Sequence, residues 1–420
     1  MNNYSTILPI DDKKALYINC LDRSVVLLQG SNGEAYEDAS DSDIFPQYRE
    51  SDFRSWFLKI IHDTAEIKAL LFLTTKCNLS CAYCFQDGYT KEYSLDLSID
   101  TADKIISWLI KFAQFNRSET VHLYLYGGEP SLNPKLVEYL ATAGKLNMEK
   151  AGLNVIGHMF TNGVILQDAV FSAIKTGFIK YLQITLDGMP ETHNRRRPFK
   201  GGRGSFEAIT RNIRRIIDET GAEITILSNF DKENIESIKE LHHYFEKIGL
   251  ADKLFFTFNP VFKTPYNCSH CSSFSLTDDE SYQAWSNLIV ETHNLGFNCN
   301  PLPLFEKGPC SFWRKSHFIF DTKGDIYKCI GMPGMKQFSI GNVASLPPDK
   351  ICDLPSQRIS GMVWENDVCK GCPYLPLCLG GCRFHALVEY KDVRKPYCHK
   401  DLIEKCEFRT IKRLYSDIQV

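Results

Sequence analysis

A regular alternation of strand-like and helix-like segments begins at residue 69, and it constrains the fold more than any other feature of the chain. Six apolar segments predict strands, at 69–75, 121–126, 154–161, 181–187, 223–228 and 253–259. Amphipathic stretches that predict helices follow near 99–114, 133–149, 167–176, 205–219 and 234–248. Repeated strand–helix units form a parallel sheet. We therefore expect an α/β fold built on a partial (β/α)6 barrel of the TIM type, not a closed barrel of eight units.

The chain on either side of this barrel has a different character. Before it, "ALYINC" and "SVVLLQ" predict two strands and "DFRSWFLKIIHD" predicts a helix, which together indicate a small separate α+β unit. After it, a helix near 279–296 gives way to short segments, Gly and Pro turns and many cysteines. We therefore predict three parts, which are an N-terminal unit at 1–65, the barrel at 66–297 and a cysteine-rich domain at 298–420.

The charge balance and the N-terminal sequence limit the partners. The net charge of −3 and the pI of about 6.4 give no sign of a nucleic-acid or membrane surface. The opening "MNNYSTILPIDDKK" lacks the apolar core of a signal peptide, and no apolar run is long enough to span a bilayer. We expect a cytoplasmic protein whose thiols stay reduced.

Three of the 16 cysteines fall within the eight residues "CNLSCAYC". Clustered cysteines in a cytoplasmic chain indicate metal or redox ligands more often than disulfide bridges. Cys77, Cys81 and Cys84 directly follow the first barrel strand, at the end where α/β barrels carry their active sites. Three thiolates can ligate three irons of a 4Fe–4S cubane and leave the fourth iron open. A zinc loop that lacks one ligand is the alternative.

The pattern Cx3CxΦC, with Tyr83 at the aromatic position, resembles the radical S-adenosylmethionine (SAM) superfamily. In that superfamily the open iron chelates the amino and carboxylate groups of SAM, and an electron from the cluster cleaves the sulfonium to give a 5′-deoxyadenosyl radical. The resemblance implies that the three cysteines ligate the SAM-binding cluster and that Tyr83 lies at the cofactor. It also implies an electron donor of the flavodoxin or ferredoxin type.

Polar motifs follow the next two strands. In "GGEP", Gly127 and Gly128 would let the backbone approach a ligand closely, and the motif resembles the second motif of the superfamily. The resemblance implies that Glu129 meets the ammonium group of SAM. "FTNG" ends the third strand and offers Thr161 and Asn162 as further cofactor-binding residues.

The fourth strand carries polar residues on a single face. In "QITLDG" the alternation places Gln183, Thr185 and Asp187 together, whereas a strand buried on both faces would be apolar throughout. We therefore predict a polar barrel lumen, with Gln183 and Thr185 at the cofactor and Asp187 as the catalytic residue.

The next motif, "HNRRRPF", extends the resemblance to a subgroup that modifies proteins and peptides. That subgroup carries QxSxDG…HDxxR, and this chain has Thr in place of its Ser and Asn in place of its second Asp. Arg197 matches the arginine that meets the SAM carboxylate as a charge-assisted pair. Arg195 and Arg196 are expected to be solvated or to face the substrate. Asn229, at the end of the fifth strand, is a weaker cofactor-binding candidate.

The cysteines of the C-terminal region match the seven-cysteine pattern of the SPASM domain, which accompanies many radical SAM peptide maturases. The resemblance implies two auxiliary 4Fe–4S clusters, so the cofactors would be three such clusters and SAM. The distal auxiliary cluster would be ligated by Cys369, Cys372, Cys378 and Cys398. The proximal one would be ligated by Cys310, Cys329 and Cys382. Zinc ribbons are the alternative.

The fourth ligand of the proximal cluster is open at this point. Cys299 is the leading candidate and is included among the predicted metal ligands, while Cys268 and Cys271 are alternatives. If none of them ligates, the free iron could bind a substrate thiolate. Cys20, Cys352 and Cys406 are expected to be plain buried thiols.

The leading hypothesis is an enzyme that cross-links a ribosomally made precursor peptide, through a thioether or, second, a carbon–carbon bond. Residues 1–65 either hold the leader peptide on a strand edge or form a cap with no binding role. An anaerobic sulfatase-maturating enzyme is the rival, although Ile330 stands where that group has an Asp base. The third hypothesis is a non-catalytic iron–sulfur or zinc sensor.

Overall fold

The computed structural model describes most of the chain. The described residues are 4–11, 14–29, 48–84, 86, 95–261, 278–300, 309–351, 359 and 361–416. They form a small antiparallel sheet and a large sheet. Within these ranges no helix is both long and apolar enough to cross a membrane.

The N-terminal residues form a three-stranded sheet in the order β1-β2-β3. Its strands are Ser5–Pro9 (β1), Lys14–Asn19 (β2) and Val25–Gln29 (β3). The predicted strands β2 and β3 are confirmed, whereas β1 had not been predicted. The predicted helix is also confirmed, as α1 at Glu50–His62, and it begins with a capping box in which the Arg49 amide donates to Asp52 at 2.6 Å.

The large sheet contains all six predicted barrel strands. They are Glu66–Thr74 (β4), Thr120–Gly127 (β5), Asn154–Thr161 (β6), Ile179–Thr185 (β7), Glu223–Phe230 (β8) and Leu254–Pro260 (β9). Four short strands extend the sheet, namely Asn298–Cys299 (β10), His317–Phe320 (β11), Asp325–Tyr327 (β12) and Gly341–Asn342 (β13). The strand order is β10-β9-β8-β7-β6-β5-β4-β11-β12-β13, and every pair from β10 to β11 is parallel. This is the partial barrel predicted above.

The predicted barrel helices are confirmed, and the stretch near 133–149 is divided by a π-helical turn at Leu140–Gly144. The barrel helices are Ile99–Asn116 (α2), Pro134–Tyr139 (α3), Lys145–Lys150 (α4), Asp168–Lys175 (α5), Pro190–Arg196 (α6), Phe206–Glu219 (α7), Ile235–Lys247 (α8) and Asp278–Asn294 (α9). The C-terminal region adds Leu375–Cys378 (α10), Arg383–Tyr390 (α11), Lys400–Leu402 (α12), a π turn at Ile403–Glu407 and Phe408–Ser416 (α13).

Alternation along the strands gives the large sheet two unlike faces. On β5, Leu123 and Leu125 are buried under the helices, while His122, Tyr124 and Tyr126 point to the opposite side, which we call the inner face. Aromatic rings cross this face from strand to strand. The ring of His158 lies 4.3 Å from Tyr124 and 4.8 Å from Tyr181, close to parallel with both. The inner face is therefore aromatic on β5, β6 and the early part of β7, beside the polar side chains that β7 predicts for the lumen.

Among the described residues, the apolar side chains of the N-terminal unit pack in one cluster with those of the C-terminal region, so the unit is less separate than predicted. Phe57 of α1 packs edge-on against Trp313 at 5.7 Å and Trp364 at 5.5 Å, both from the C-terminal region. Leu16 and Phe53 belong to the same buried cluster. The two ends of the chain thus share one core, because neither has enough apolar surface to bury alone.

Candidate active site

The loop that carries the first three cysteines is held against the segment that follows α6. The Ser80 amide donates to the Pro198 carbonyl and the Ala82 amide to the Arg196 carbonyl, both at 2.9 Å. Two motifs far apart in sequence, "CNLSCAYC" and "HNRRRPF", therefore form one unit at the ends of β4 and β7.

The three thiols of this loop lie near one another and near a cation. Burial raises the pKa of Cys81 to about 12, Arg197 opposes that rise, and the neighbouring Cys84 and Cys77 add to it. In the part of the chain that the structure describes, no three potential ligands converge closely enough to bind a single metal ion. A 4Fe–4S cluster takes its thiolates on separate irons, so three spaced thiols beside a cation fit that group.

Tyr83 joins three of the motifs through its hydroxyl. The hydroxyl donates to Asp187 and accepts from Arg197 Nη1 at 2.6 Å and from Asn229 Nδ2 at 3.2 Å. Burial raises the pKa of Tyr83 well above its usual value, so the phenol keeps the proton that it donates. The ring also lies under the guanidinium of Arg196, at 5.1 Å. Tyr83 thus fixes Arg197 beside the cysteines.

Asp187 is fully buried and serves as an acceptor for its neighbours. Besides Tyr83, it accepts from the Asn229 amide at 2.9 Å and lies 3.8 Å from Nε of Arg196. These contacts orient the carboxylate of Asp187 and the groups around it, and its catalytic role stays a prediction. The prediction that Arg196 is solvated or faces the substrate is wrong, because Arg196 is only 4% exposed and pairs with Asp231 at 2.7 Å. Arg195 is exposed, as expected.

Glu129 links the ends of β5 and β6. Its carboxylate accepts from Thr161 Oγ1 and the Asn162 amide, both at 2.7 Å, and from the Ser131 amide at 3.0 Å. The side chain is 0% exposed, and burial raises its pKa while these hydrogen bonds oppose the rise. The structure therefore ties the predicted residues Glu129, Thr161 and Asn162 to one another.

The two glycines before Glu129 are required by the neighbouring strand. A Cβ at Gly127 would lie 2.2 Å from the carbonyl oxygen of Thr74, and one at Gly128 would lie 2.4 Å from that of Lys76. Gly127 also has a φ of +146°. The two glycines therefore let their own backbone approach the backbone around the end of β4 closely.

Two buried donors at the site lack an acceptor within the described residues, Nε of Arg197 and Nδ2 of Asn78. Asn78 was not among the predicted residues, and its Oδ1 accepts from Asn162 Nδ2 at 2.7 Å. Gln183 is partly exposed on the inner face of β7, and Thr185 is nearly buried beside it. Unsatisfied buried donors are costly, so these two fit a ligand that supplies acceptors.

Two groups of cysteines meet in the C-terminal region. Burial raises the pKa of Cys329, and Cys382 and Cys310 act in the same direction, which places these three thiols together. Burial also raises the pKa of Cys378 to about 12. A hydrogen bond from the His399 amide lowers this pKa, and the neighbouring thiols of Cys398, Cys369 and Cys372 raise it. These are the groups predicted for the proximal and distal auxiliary clusters.

Cys299, predicted as the fourth proximal ligand, lies on a strand remote in the sheet order from the first of these groups, and its ligation stays a prediction. It lies on β10, at one edge of the parallel strands, and its Sγ is 3.9 Å from the carbonyl of Ile289. Six strands separate β10 from β11, beside which Cys310 and Cys329 lie. Cys20 and Cys406 are buried as predicted, whereas the predictions for Cys268, Cys271 and Cys352 lie outside the described residues.

Known sequences resemble this chain over the region that carries the candidate active site. Residues 71–245 match the family model of the radical SAM superfamily. The chain is 22% identical to the Fe-coproporphyrin III synthase of Methanosarcina barkeri, over 76% of this chain and 84% of that protein. It is 23% identical to a cysteine-type anaerobic sulfatase-maturating enzyme of Clostridium novyi, over 74% of this chain and 86% of that enzyme.

Solved structures share the fold. Native anSMEcpe with bound AdoMet and the Kp18Cys peptide gives a TM-score of 0.66 at 19% identity, over 84% of this chain and 100% of that one. SuiB of Streptococcus suis bound to the precursor peptide SuiA gives 0.58 at 14% identity, over 93% and 96%. Residues 71–245 of this chain therefore carry the radical SAM domain, and the solved structures share its fold.

Proposed function

We propose that this radical SAM enzyme matures a ribosomally made peptide by forming a cross-link, most simply a thioether. The observation that carries the proposal is the presence in one chain of three separate cysteine groups, one at the barrel strand ends and two in the C-terminal region. Formation of the cross-link leaves one electron, which needs an acceptor other than the SAM site. The C-terminal cysteine groups would hold that acceptor.

At the strand ends, Cys77, Cys81 and Cys84 would hold the cluster that binds SAM. That cluster and SAM supply a carbon radical able to remove a hydrogen atom from the substrate. Arg197 would meet the SAM carboxylate through its unsatisfied Nε, while Tyr83, Asp187 and Asn229 hold the guanidinium in place.

The remaining predicted residues of the site have positioning or lining roles in this proposal. Glu129, Thr161 and Asn162 would hold the loops around the cofactor in register, and Gly127 and Gly128 would allow those loops to approach β4. Gln183 and Thr185 would line the cofactor pocket from β7. The hydrogen atom would be removed above the aromatic rings of the inner face.

In the C-terminal region, a SPASM domain at 298–420 would hold two auxiliary 4Fe–4S clusters. Thioether formation removes two hydrogens from the peptide, one as a hydrogen atom and one as the thiol proton, and leaves one electron to be accepted. The thiols of Cys310, Cys329 and Cys382 would hold the proximal acceptor. These three thiols are the ligands that the described part of this group supplies, and a cluster held by three thiolates would keep a free iron for the substrate thiolate.

A peptide substrate is favoured by the fold relatives, since anSMEcpe and SuiB were each solved with a peptide. The N-terminal sheet presents β1 and β3 as edge strands, and we propose that one of them pairs with the leader peptide. We place the reaction in the cytoplasm, with a flavodoxin- or ferredoxin-type donor.

The test is turnover by the protein reconstituted without oxygen, at about twelve irons per chain. With SAM, a reductant and a cysteine-bearing precursor peptide, we expect 5′-deoxyadenosine and a peptide that has lost two hydrogens. Conversion of a sulfatase peptide to formylglycine would assign the chain to the rival activity instead. Turnover of a tetrapyrrole alone would align it with the archaeal relative. A failure to cleave SAM, or zinc in place of iron, would leave the sensor hypothesis.

A further inference from the structure

A cavity of about 710 Å³ lies outside the SAM site, between the N-terminal unit and the edge of the large sheet. Its walls come from the turn after β2, from α1, from the start of β4 and from the segment before β11. Cys310 is exposed on this wall. The volume is within the range of pockets that bind small molecules or several peptide side chains.

Three cations converge on the cavity, Arg23, Lys68 and Arg314. Burial lowers the pKa of Arg23 and of Lys68, and in both cases the positive charge of Arg314 lowers it further. His317 pairs with Lys68 across β11 and β4, and burial among these cations keeps its imidazole neutral. Like charges held this close in a partly buried space repel one another unless an anion lies between them.

The carboxylates on the cavity wall are occupied by the fold. Asp22 accepts from the Ser24 amide at 2.8 Å and from the Tyr48 hydroxyl at 3.2 Å. Asp52 accepts the Arg49 amide at 2.6 Å as part of the capping box. Their positions are set by the turn and the helix start, so neither is directed at the cations.

Backbone contacts, rather than an ion pair, hold Arg314 at the cavity wall. Arg314 donates to the backbone carbonyls of Ile60 at 3.0 Å and Pro309 at 3.3 Å. Asp63 and Glu66 act on its pKa from a longer range. Among the residues that the structure describes, neither Lys68 nor Arg314 forms an ion pair with a carboxylate. The guanidinium of Arg314 is therefore fixed in place with no carboxylate of the described residues in contact, and Asp63 and Glu66 offset only part of its charge from a distance. Glu66 likewise offsets part of the charge of Lys68.

We propose that this cavity binds a carboxylate of the substrate, placing an acidic part of the peptide beside Cys310. The inference rests on the proposed function, because Cys310 is one of the thiols assigned to the proximal auxiliary cluster. A guanidinium and an ammonium group on two walls suit a carboxylate, which can accept from both. Trp56, stacked under Arg23 at 5.6 Å, gives the cavity an apolar wall for the rest of the side chain.

The test is binding of short labelled peptides to the reconstituted enzyme without oxygen, followed by fluorescence anisotropy. One probe is an acetylated, amidated glutamate peptide, and its glutamine counterpart is the matched control. An alanine peptide whose sole carboxylate is the C-terminus distinguishes the two sources of a carboxylate. We expect the glutamate or the C-terminal probe to bind at least about tenfold more tightly than the glutamine peptide. Equal binding of all three would overturn the proposal.

Variants locate the binding in the cavity. Lys68→Met should weaken binding of the carboxylate probe by about tenfold, Lys68→Arg should retain it, and Lys59→Met, an exposed lysine of α1 outside the cavity, should leave it unchanged. Arg314→Met should weaken binding by a similar or larger factor, but it also removes two hydrogen bonds to backbone carbonyls. The Lys68 variants are therefore the ones that test the proposal. Undiminished binding in Lys68→Met would overturn the proposal.

Two further readouts separate this inference from the proposed function. If the cations serve only to offset the charge of a cluster, Lys68→Met will change the iron content or the cluster spectrum and leave peptide binding intact, which overturns the cavity proposal alone. Lys68→Met should retain SAM cleavage, because Lys68 lies away from the SAM site. A chain that binds the acidic probe but does not cleave SAM would contradict the proposed function alone.

Discussion

The barrel cysteines and the C-terminal cysteines are held by different kinds of interaction. Around Cys81, polar groups on three strand ends bond to one another, with Tyr83 and Asp187 at the centre. Around Cys329 and Cys382 the buried cations Lys328 and Arg383 donate to backbone carbonyls rather than to other side chains. Steric contacts add to this: Gly331 lies against the ring of Phe384, and a Cβ there would be 2.6 Å from it.

This difference suits two different tasks. A SAM-binding site has to orient a charged cofactor, and buried charges with fixed partners do so at a cost in desolvation. A cluster that only stores or passes an electron needs burial and fixed ligands more than directed donors. The comparison therefore predicts that polar substitutions will damage the first site and steric ones the second.

The largest expected effect comes from removing the barrel ligands. Replacing Cys77, Cys81 and Cys84 together with Ala should abolish SAM cleavage and remove about four irons per chain, leaving about eight in the C-terminal region. Iron analysis and assay of 5′-deoxyadenosine check both. Cys406→Ala, at a buried thiol that contacts Thr410 and Ser286, is the control. Residual SAM cleavage in the triple variant would show that the active site has been misplaced.

A steric change should break the distal group selectively. Gly381 has a φ of +75°, and a Cβ there would lie 1.5 Å from the carbonyl oxygen of Tyr397, next to Cys398. Gly381→Ala should therefore displace Cys398 and remove about four irons, with SAM cleavage retained.

Gly152→Ala is the matched control for that steric prediction. Gly152 also has a positive φ, of +85°, but a Cβ there would meet nothing within 4 Å. It should cost only the backbone strain of about 1–2 kcal/mol and no iron. Equal iron in both variants would mean that the contact with Tyr397 does not support the distal group.

A polar change should damage the barrel site without removing its iron. Asp187→Ala leaves the Tyr83 hydroxyl and the Asn229 amide without their buried acceptor and should destabilise the chain by about 3–5 kcal/mol while weakening SAM binding. Asp187→Asn keeps one oxygen, which can accept from the Asn229 amide, and turns an NH2 group towards Tyr83, so it should recover part of the SAM cleavage. An Asn variant as inactive as the Ala variant would favour a catalytic role for Asp187.

Arg197→Ala should have a smaller and more specific effect. Truncating one partner of a desolvated charge pair typically costs ~2–5 kcal/mol, so SAM affinity should fall at least tenfold with the iron count unchanged. Equilibrium binding of SAM and iron analysis on the same sample measure this. Arg195→Ala, at the exposed arginine two residues earlier, should bind SAM normally. Normal SAM affinity in Arg197→Ala would remove the residue from the cofactor site.

The smallest effect is expected at Cys299. Because it lies on β10, away from the C-terminal groups, Cys299→Ala should leave iron content and the cluster spectrum unchanged and cost about 1 kcal/mol of stability. A spectral change on adding a thiol-bearing peptide to this variant would support a free iron in the proximal group. Loss of iron, in contrast, would restore Cys299 as a ligand.

The sequence predicts the barrel region better than it predicts the C-terminal region. The barrel strands and the motifs at their ends are local patterns, so β4 to β9 and the order of the polar residues follow from periodicity. The role of each residue within the active site could not be predicted as directly from the sequence. Arg196 resembles its exposed neighbour Arg195 in sequence, and only its pairing with Asp231 shows that it is buried. An Asp directly after β8 was the one available signal.

The C-terminal assembly could not be derived in the same way. Strand β11 is four residues long, and it joins β4 across more than two hundred residues of chain. Cys299 is near Cys310 in sequence yet lies at the opposite edge of the parallel strands. Spacing predicted the groups, but contacts of long sequence separation decide which thiols reach them.

The most direct measurement of the central claim is label transfer during turnover. A precursor peptide deuterated at its carbon-bound positions is incubated with the reconstituted enzyme, SAM and a reductant, and the 5′-deoxyadenosine is analysed by mass spectrometry. If the barrel site removes a hydrogen atom from the peptide and the C-terminal region accepts the remaining electron, deuterium will appear in 5′-deoxyadenosine in proportion to the cross-linked peptide. Cleavage of SAM at the same rate with and without peptide, with no deuterium transferred, would contradict the account.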